Sequence, residues 1–422
     1  MATYHVDLAN PGAWNGRDGS DSSGNQWLGA SGLQMAADTI TAGNTIHVNG
    51  TVDLSTLKSL VCDDLVGVFV RGEGVTWSTG TTGTGVVSEI TANSPTVIEV
   101  LTGTLADDDE LVGTTSGATD TVAGAPATKT AGLNIDTQTG DATPNGYIKF
   151  IGVASLGGSN DGTKAQLNGN SGSTNCIDPV TVDYIWLENF EIYSATGNGV
   201  ADGGNGNDWV FINTIFRNNG GQGIDGNNFE NAIFIRCNAY SNTDYGFYNL
   251  DTSSRLLFCV SYNNTDGGFS CYSTHYYIMF FGCLAHGNGG AGDYGFSGCV
   301  NGTIINCVSD GNGDDGIYCP INGMLIIGNR LTENGAYGID FNSVLALYGW
   351  NYAPAGSEDR DNTSGTKVND GLAEALSIAG VATNNLAGTD TDGGYNAPAT
   401  DDFNLTSDAT LKRTEIDLGV GS

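Results

Sequence analysis

The stretch IINCVSDGNGDDGI, Ile304 to Ile317, recurs with variation along the middle of the chain. With Cys307 as anchor, the equivalent positions are Thr214 in FINTIFRNNGGQGI, Cys237 in FIRCNAYSNTDYGF, Cys259 in LFCVSYNNTDGGF, Cys283 in FFGCLAHGNG and Asn329 in IIGNRLTENGAYGI. Five residues after each anchor stands an Asn: Asn219, Asn242, Asn264, Asn288, Asn312 and Asn334. Most blocks then place a Gly before an apolar residue, as at Ile224, Phe247, Phe269, Ile317 and Ile339; Phe296 comes three residues late because GNGGAGDYG carries an insertion. A fixed period of about 22–24 residues, running from roughly Tyr184 to Ile339, is the mark of a solenoid.

Each block holds short runs of β-branched and aromatic residues separated by Gly, Asn and Asp, which is strand and turn composition without a helical period. One such block cannot bury a face alone, but stacked blocks can. Three short strands make one coil, and equivalent residues on successive coils lie about 4.8 Å apart. On this arrangement the Asn residues form a hydrogen-bonded file, the cysteines fill space as small apolar groups, and the Gly before each Ile or Phe lets the backbone turn inward. These repeats resemble the right-handed parallel β-helix family, the pectate-lyase-like solenoids. The resemblance covers most of the chain and implies an architecture rather than an activity.

The expected fold is therefore all-β: a right-handed parallel β-helix with a short N-terminal capping helix and a small inserted β module. Residues 1–80 read as cap and first coils. TYHVDL is a strand, NGRDGSDSSGNQW a loop, and SGLQMAADTITAG an amphipathic helix with Leu33, Met35, Ala36 and Ile40 on its apolar side. Residues 81–128 break the pattern as a Thr/Val/Gly-rich β insertion, in which LTGTLADDDELVGTTSGATDTV resembles a short module recurring in tailed-phage structural proteins. Residues 129–345 carry the solenoid. Residues 346–422 are aperiodic, and their end, DDFNLTSDATLKRTEIDLGVG, resembles the closing segment of many β-helix proteins.

The chain has 422 residues, 64 glycines, 14% charged residues and a net charge of −33. That charge disfavours nucleic acid and acidic polymers such as pectate as partners unless a cation intervenes, and it disfavours docking on anionic lipid. Nine cysteines is an odd number. Parallel side chains in register point alike, so free buried thiols are expected, with folding in a reducing compartment. MATYHVDLANPG lacks a basic n-region and an apolar h-region, so it does not read as a signal peptide. No stretch reaches membrane-spanning length, and synthesis in a host cytoplasm without membrane insertion is expected.

The repeat presents few groups for chemistry. Two residues past the ladder Asn stand Asp244, Asp266 and Asp314. Adjacent coils would set Asp244 and Asp266 about 5 Å apart, the spacing of a retaining glycosidase pair, and Asp266 and Asp314 nearer the inverting spacing. Asp is also what such a turn prefers for backbone reasons, and that is the favoured reading. The β-helix polygalacturonases carry motifs written NTD, DD, GHG and RIK. NTD occurs at Asn242–Asp244 and Asn264–Asp266, and DD at Asp314–Asp315, but GHG and RIK are missing and the NTD matches fall on the repeat itself. GGNGNDWVF, Gly203 to Phe211, fits a single calcium nonapeptide centred on Asp208. Such sites use tandem copies, so calcium is a candidate only there, and otherwise no cofactor is expected. DGNGDDG lacks the Gly and Glu of an EF-hand loop. The four His do not cluster in the sequence.

If the anchor faces inward, strict alternation places the residue three before it outside. Phe211, Phe234, Leu256, Phe280, Ile304 and Ile326 would then form an apolar stripe facing a partner. Tyr240, Tyr262 and His286, three past the anchor, would face a glycan or simply solvent. The favoured function is a non-enzymatic structural or attachment protein on a phage particle, a head decoration, fibre or tail-spike-like protein at the virion surface. Its partners would be other virion proteins, itself as a homo-oligomer (a trimer among the options), or a host-surface glycan. The alternative is a polysaccharide lyase or glycoside hydrolase of the β-helix class acting through the turn Asp residues.

Overall fold

The computed structural model describes residues 2–341, apart from positions 21, 23, 79–80, 137, 144–145, 173, 202–203, 205, 273, 291 and 321–322. Beyond 341 it describes residues 347–349, 351–354, 359–361, 366–368 and 386–388. The expected closing segment at 401–421 lies outside the described residues. The chain is all-β, a right-handed parallel β-solenoid of about 13 turns, with a single α-helix among the described residues. It comprises two compact units, 1–222 and 223–422.

In the first unit, helix α1 (Gly29–Thr39) packs beside the first strands, and Leu33, Ala36 and Ile40 are buried as the apolar pattern requires. Its N-terminus has no side-chain cap of its own. The carboxylate of Glu99 accepts hydrogen bonds from the amides of Ala30 (3.1 Å) and Ser31 (3.0 Å), answering donors that a helix leaves open. Gly29 sits at φ +64°, and a Cβ there would strike Glu99. Glu99 belongs to the inserted module, a seven-stranded antiparallel sheet. That sheet runs from Leu57–Ser59 to Ala127–Thr128, so its strands begin at Leu57, within the stretch that reads as cap in the sequence. Phe69, Trp77, Val87, Ile98 and Leu111 form a core of its own.

In the second unit each coil contributes three strands. The first sheet contains Ile233–Ile235, Arg255–Leu257, Met279–Phe281, Thr303–Ile305 and Leu325–Ile327, all parallel. The second contains Asn238–Tyr240, Val260–Tyr262, Leu284–His286, Val308–Asp310 and Arg330–Thr332. The third aligns Ile224, Phe247, Phe269, Phe296, Ile317 and Ile339 in one buried file, so the insertion before Phe296 is absorbed in the turn.

The Asn file is present as a ladder. Asn242, Asn264, Asn288 and Asn312 each donate from Nδ2 to Oδ1 of the next Asn at 2.9–3.0 Å, and from the backbone amide to the same oxygen at 3.1–3.2 Å. The Gly before each apolar residue serves this ladder rather than a reversed backbone. A Cβ on Gly246 would lie 2.1 Å from Ser261 Oγ, and one on Gly316 2.7 Å from Asn334 Nδ2. All nine cysteines are free, eight of them buried. Burial pushes the Cys176 thiol up to about 12 and those of Cys259 and Cys307 well above their ordinary value, so these remain protonated.

The apolar stripe expected outside is inside. In the second unit Phe234, Leu256, Phe280, Ile304 and Ile326 are at most 1% exposed, and Phe211 of the first unit is fully buried. Both the anchor and the residue three before it point to the core because the residue just before the anchor is left-handed: Arg236 (φ 53°), Phe258 (57°), Gly282 (61°), Asn306 (51°) and Gly328 (69°). One residue in that conformation makes the corner between the first and second sheets and shifts the in–out alternation by one. The outward apolar file lies one residue later, at Ile235, Leu257, Phe281, Ile305 and Ile327, all half-buried.

Candidate functional site

The turn between the second and third sheets brings the acidic residues together. Asp244 and Asp266 follow one another across coils, with the Asp266 amide donating to the Asp244 carbonyl (3.3 Å). Asp293 occupies the next place, and the Asp314 amide donates to its carbonyl (3.1 Å). The insertion before Phe296 hides Asp293 from the sequence period, yet it stands in the column. Burial, with Asp293 and Asp244 nearby, holds the Asp266 carboxyl above the usual carboxylate range. Tyr245 lies against the same acids, and burial together with Asp293, Asp266 and Asp244 pushes its phenol up to about 12. Tyr294 stacks on Tyr318 at 4.3 Å on the following coils. The face is thus acidic and tyrosine-lined. Between residues 223 and 341 the cations are Arg236, Arg255 and Arg330, without a lysine, and they belong to the first two sheets or the corner between them. Residues 223–341 therefore give the column carboxylates but no cationic side chain from the third sheet to steady an anion.

On the outer face of the second sheet, Tyr240 stacks on Tyr262 with ring centroids 4.7 Å apart and planes 15° off parallel. Tyr262 is in register with His286, whose Nδ1 lies 3.1 Å from Asp310 Oδ2. The Tyr240 and Tyr262 rings use faces on one another, which turns those faces away from an incoming sugar. Asp310 is buried and also accepts from the Thr332 hydroxyl.

No family profile matches the chain, and comparison with curated proteins finds no relative. Solved structures do match. A pectate lyase, Pel9A, superposes over 97% of this chain and 90% of its own, with a TM-score of 0.54 at 14% identity. The chain has the pectate-lyase-like β-helix fold. A rhamnogalacturonan lyase is similar over 88% of the β-helix chain and 87% of its own, with a TM-score of 0.50 and 14% identity. At this identity the likeness shows the fold alone.

The β-helix does not gather the remaining candidates. Asp208 sits in the first unit, left-handed at φ 58°; burial raises its carboxyl while a hydrogen bond with Tyr184 opposes the rise. Gly203 and Asn205 of its nonapeptide lie outside the described residues. Among the described residues no three His, Cys, Asp or Glu side chains form a group fit to hold a metal ion. His275 lies 3.4 Å from Asp251, away from the acidic column in sequence and sheet.

Sequence reading missed a second surface feature. Phe258 (52% exposed) and Tyr277 (61%) are both left-handed, at φ 57° and 61°, at opposite ends of first-sheet strands. Neighbouring coils mostly fill these corners with Asn, Ser or Gly, and an L side chain there costs about 1–2 kcal/mol. Phe258 meets Phe281 edge to face at 5.6 Å, beside the outward apolar file. No outward position of the first-sheet strands from Ile233–Ile235 to Leu325–Ile327 is acidic.

The Asp310 pair has a pH signature. Burial raises its carboxyl, but hydrogen bonds from His286 and Thr332 outweigh this and hold it below the usual range. A depressed folded pKa gives stability that is present above the unfolded value and is lost as pH falls through the folded one. Asp310→Ala is expected to cost about 1–3 kcal/mol at neutral pH. In urea denaturation the gap to wild type should narrow as pH drops below about 3.8.

Proposed function

We propose that the chain is a non-enzymatic structural or attachment protein of a phage particle, built into a larger assembly through the outer face of its first sheet. The observation that carries this reading is that face. In a chain of net charge −33 it is apolar and acid-free, and it is rimmed by two exposed aromatics in costly backbone conformations. Interfaces are enriched in Phe, Tyr, Met and Arg, and this face offers Phe258, Phe281, Tyr277, Met279 and Arg255. Copies of so acidic a chain repel over most of their surface and meet at least cost where carboxylates are missing. Host-surface glycan and other virion proteins remain partners of the same proposal, and synthesis in a host cytoplasm goes with it.

The second reading, a polysaccharide lyase or hydrolase, is favoured by one observation, the column Asp244, Asp266, Asp293 and Asp314. The two solved structures named above are lyases, which gives a substrate class to screen. Sedimentation and a cleavage screen separate the readings. The particle reading expects an oligomer that Phe258→Ser weakens, with pectate, rhamnogalacturonan, alginate and capsular polysaccharides left uncut. Cleavage that disappears in Asp266→Asn would overturn it.

A further inference from the structure

We propose that the first unit carries a binding pocket for a single neutral sugar residue, or a polyol of that size, between helix α1, the inserted sheet and the first solenoid coils. This goes beyond the reading above and uses none of its residues. The cavity measures about 260 Å³, slightly below the range for drug-sized ligands, so it suits one ring rather than a chain.

Its floor is fixed in place. Gln34 is buried, and its amide is fully used: Nε2 donates to Asp38 (2.7 Å) and to the Asn134 carbonyl (2.8 Å), while Oε1 accepts from the Asn134 amide (2.9 Å) and Lys129 (3.2 Å). Arg71 is held by Asp38 at 2.5 Å and by the Ser88 carbonyl. Glu89 is held by Lys129 at 2.7 Å. Thr91 and Asp136 stand exposed at the mouth. Such a site is preorganised, with carboxylates to accept from hydroxyls and the Arg71 guanidinium to donate to them.

The lining selects among ligands. Ile90 is its one aliphatic side chain, so an apolar ligand would strand the polar walls. Asp38, Glu89 and Asp136 outnumber Arg71 and the Lys129 that pairs with Glu89, so an acidic ligand is disfavoured. The described residues hold no group of His, Cys, Asp or Glu fit for a metal ion, which leaves a ligand rich in hydroxyls.

The test titrates the full chain with free hexoses, N-acetylhexosamines and hexuronates, followed by saturation-transfer NMR and calorimetry. A methyl glycoside of each asks whether a free sugar or the end of a glycan is taken. A neutral member should bind in the millimolar range or tighter, with the matching uronate at least about tenfold weaker. Thr91→Trp, which blocks the mouth from an exposed position, and Asp136→Asn should each weaken binding about tenfold or more, a loss of about 1.4 kcal/mol. Unchanged circular dichroism in both variants shows that the fold is retained. Absence of binding across the panel, uronate binding as tight as neutral, or binding indifferent to Thr91→Trp would each overturn the assignment.

Discussion

Phe280→Asp is expected to abolish folding of the second unit, while Phe281→Asp, one residue along, leaves it folded. Phe280 is 1% exposed and packs edge to face against Phe269 (5.6 Å) and Phe296 (5.5 Å), which themselves stack at 4.9 Å. An aspartate there loses the ring contacts and places a carboxylate among apolar groups with no partner. That cost exceeds several kcal/mol, against a total stability of about 5–15 kcal/mol for an ordinary domain. Phe281 lies on the outer face, half-buried beside Phe258, and a carboxylate there reaches water. Far-UV circular dichroism and thermal melting should show a β spectrum and a cooperative transition for Phe281→Asp only. The same variant should sediment as a smaller species than wild type, because it adds an acid to the acid-free face. Equal loss of folding in both variants would refute the assigned alternation.

The second large effect is expected at Asn288. This fully buried side chain accepts from Asn264, through both amide and Nδ2, and donates to Asn312 (3.0 Å) and to the Ser261 carbonyl (2.9 Å). Asn288→Ala removes one side chain and strips a partner from two others, Asn264 and Asn312, and from two backbone groups, the Asn264 amide and the Ser261 carbonyl. At about 1–3 kcal/mol for each buried group left unanswered, the expected loss is about 3–5 kcal/mol, read as a lowered urea midpoint. Asn288→Asp should not rescue it. A carboxylate restores the acceptor but not the donor, and it adds a buried charge.

These two positions mark what the sequence makes legible. Asn288 announces itself, because a polar residue recurring once per coil among apolar neighbours has to be answered by its own kind. The same holds for the buried Ile and Phe file of the third sheet, which keeps its register through the insertion before Phe296. Phe280 does not announce itself. Its orientation depends on the left-handed residue at the corner, and Arg236 and Phe258 give no compositional hint of that conformation, unlike Asn306 or Gly328. Counting by twos across the corner therefore puts the core stripe outside. Asp293 was hidden by added turn residues. The module's start near Leu57 was hidden because its first strands alternate like those of the cap. The pocket beside α1 was out of reach altogether, since Gln34 and Asn134 meet only through tertiary contact.

The ladder also has a direction. From Asn242 through Asn312, every Asn-to-Asn bond, side-chain and backbone, runs to the coil that follows in sequence, while Nδ2 of Asn264, Asn288 and Asn312 also donates to a carbonyl of the coil before. A coil leaving the ribosome thus waits for its successor before the backbone amide and one Nδ2 proton of its ladder Asn are answered, so closure of the ladder trails synthesis by one turn. Shortening the stack to end on the coil of Asn242, Asn264, Asn288 or Asn312 would leave two open ladder donors on the last coil kept, which would be the least secure.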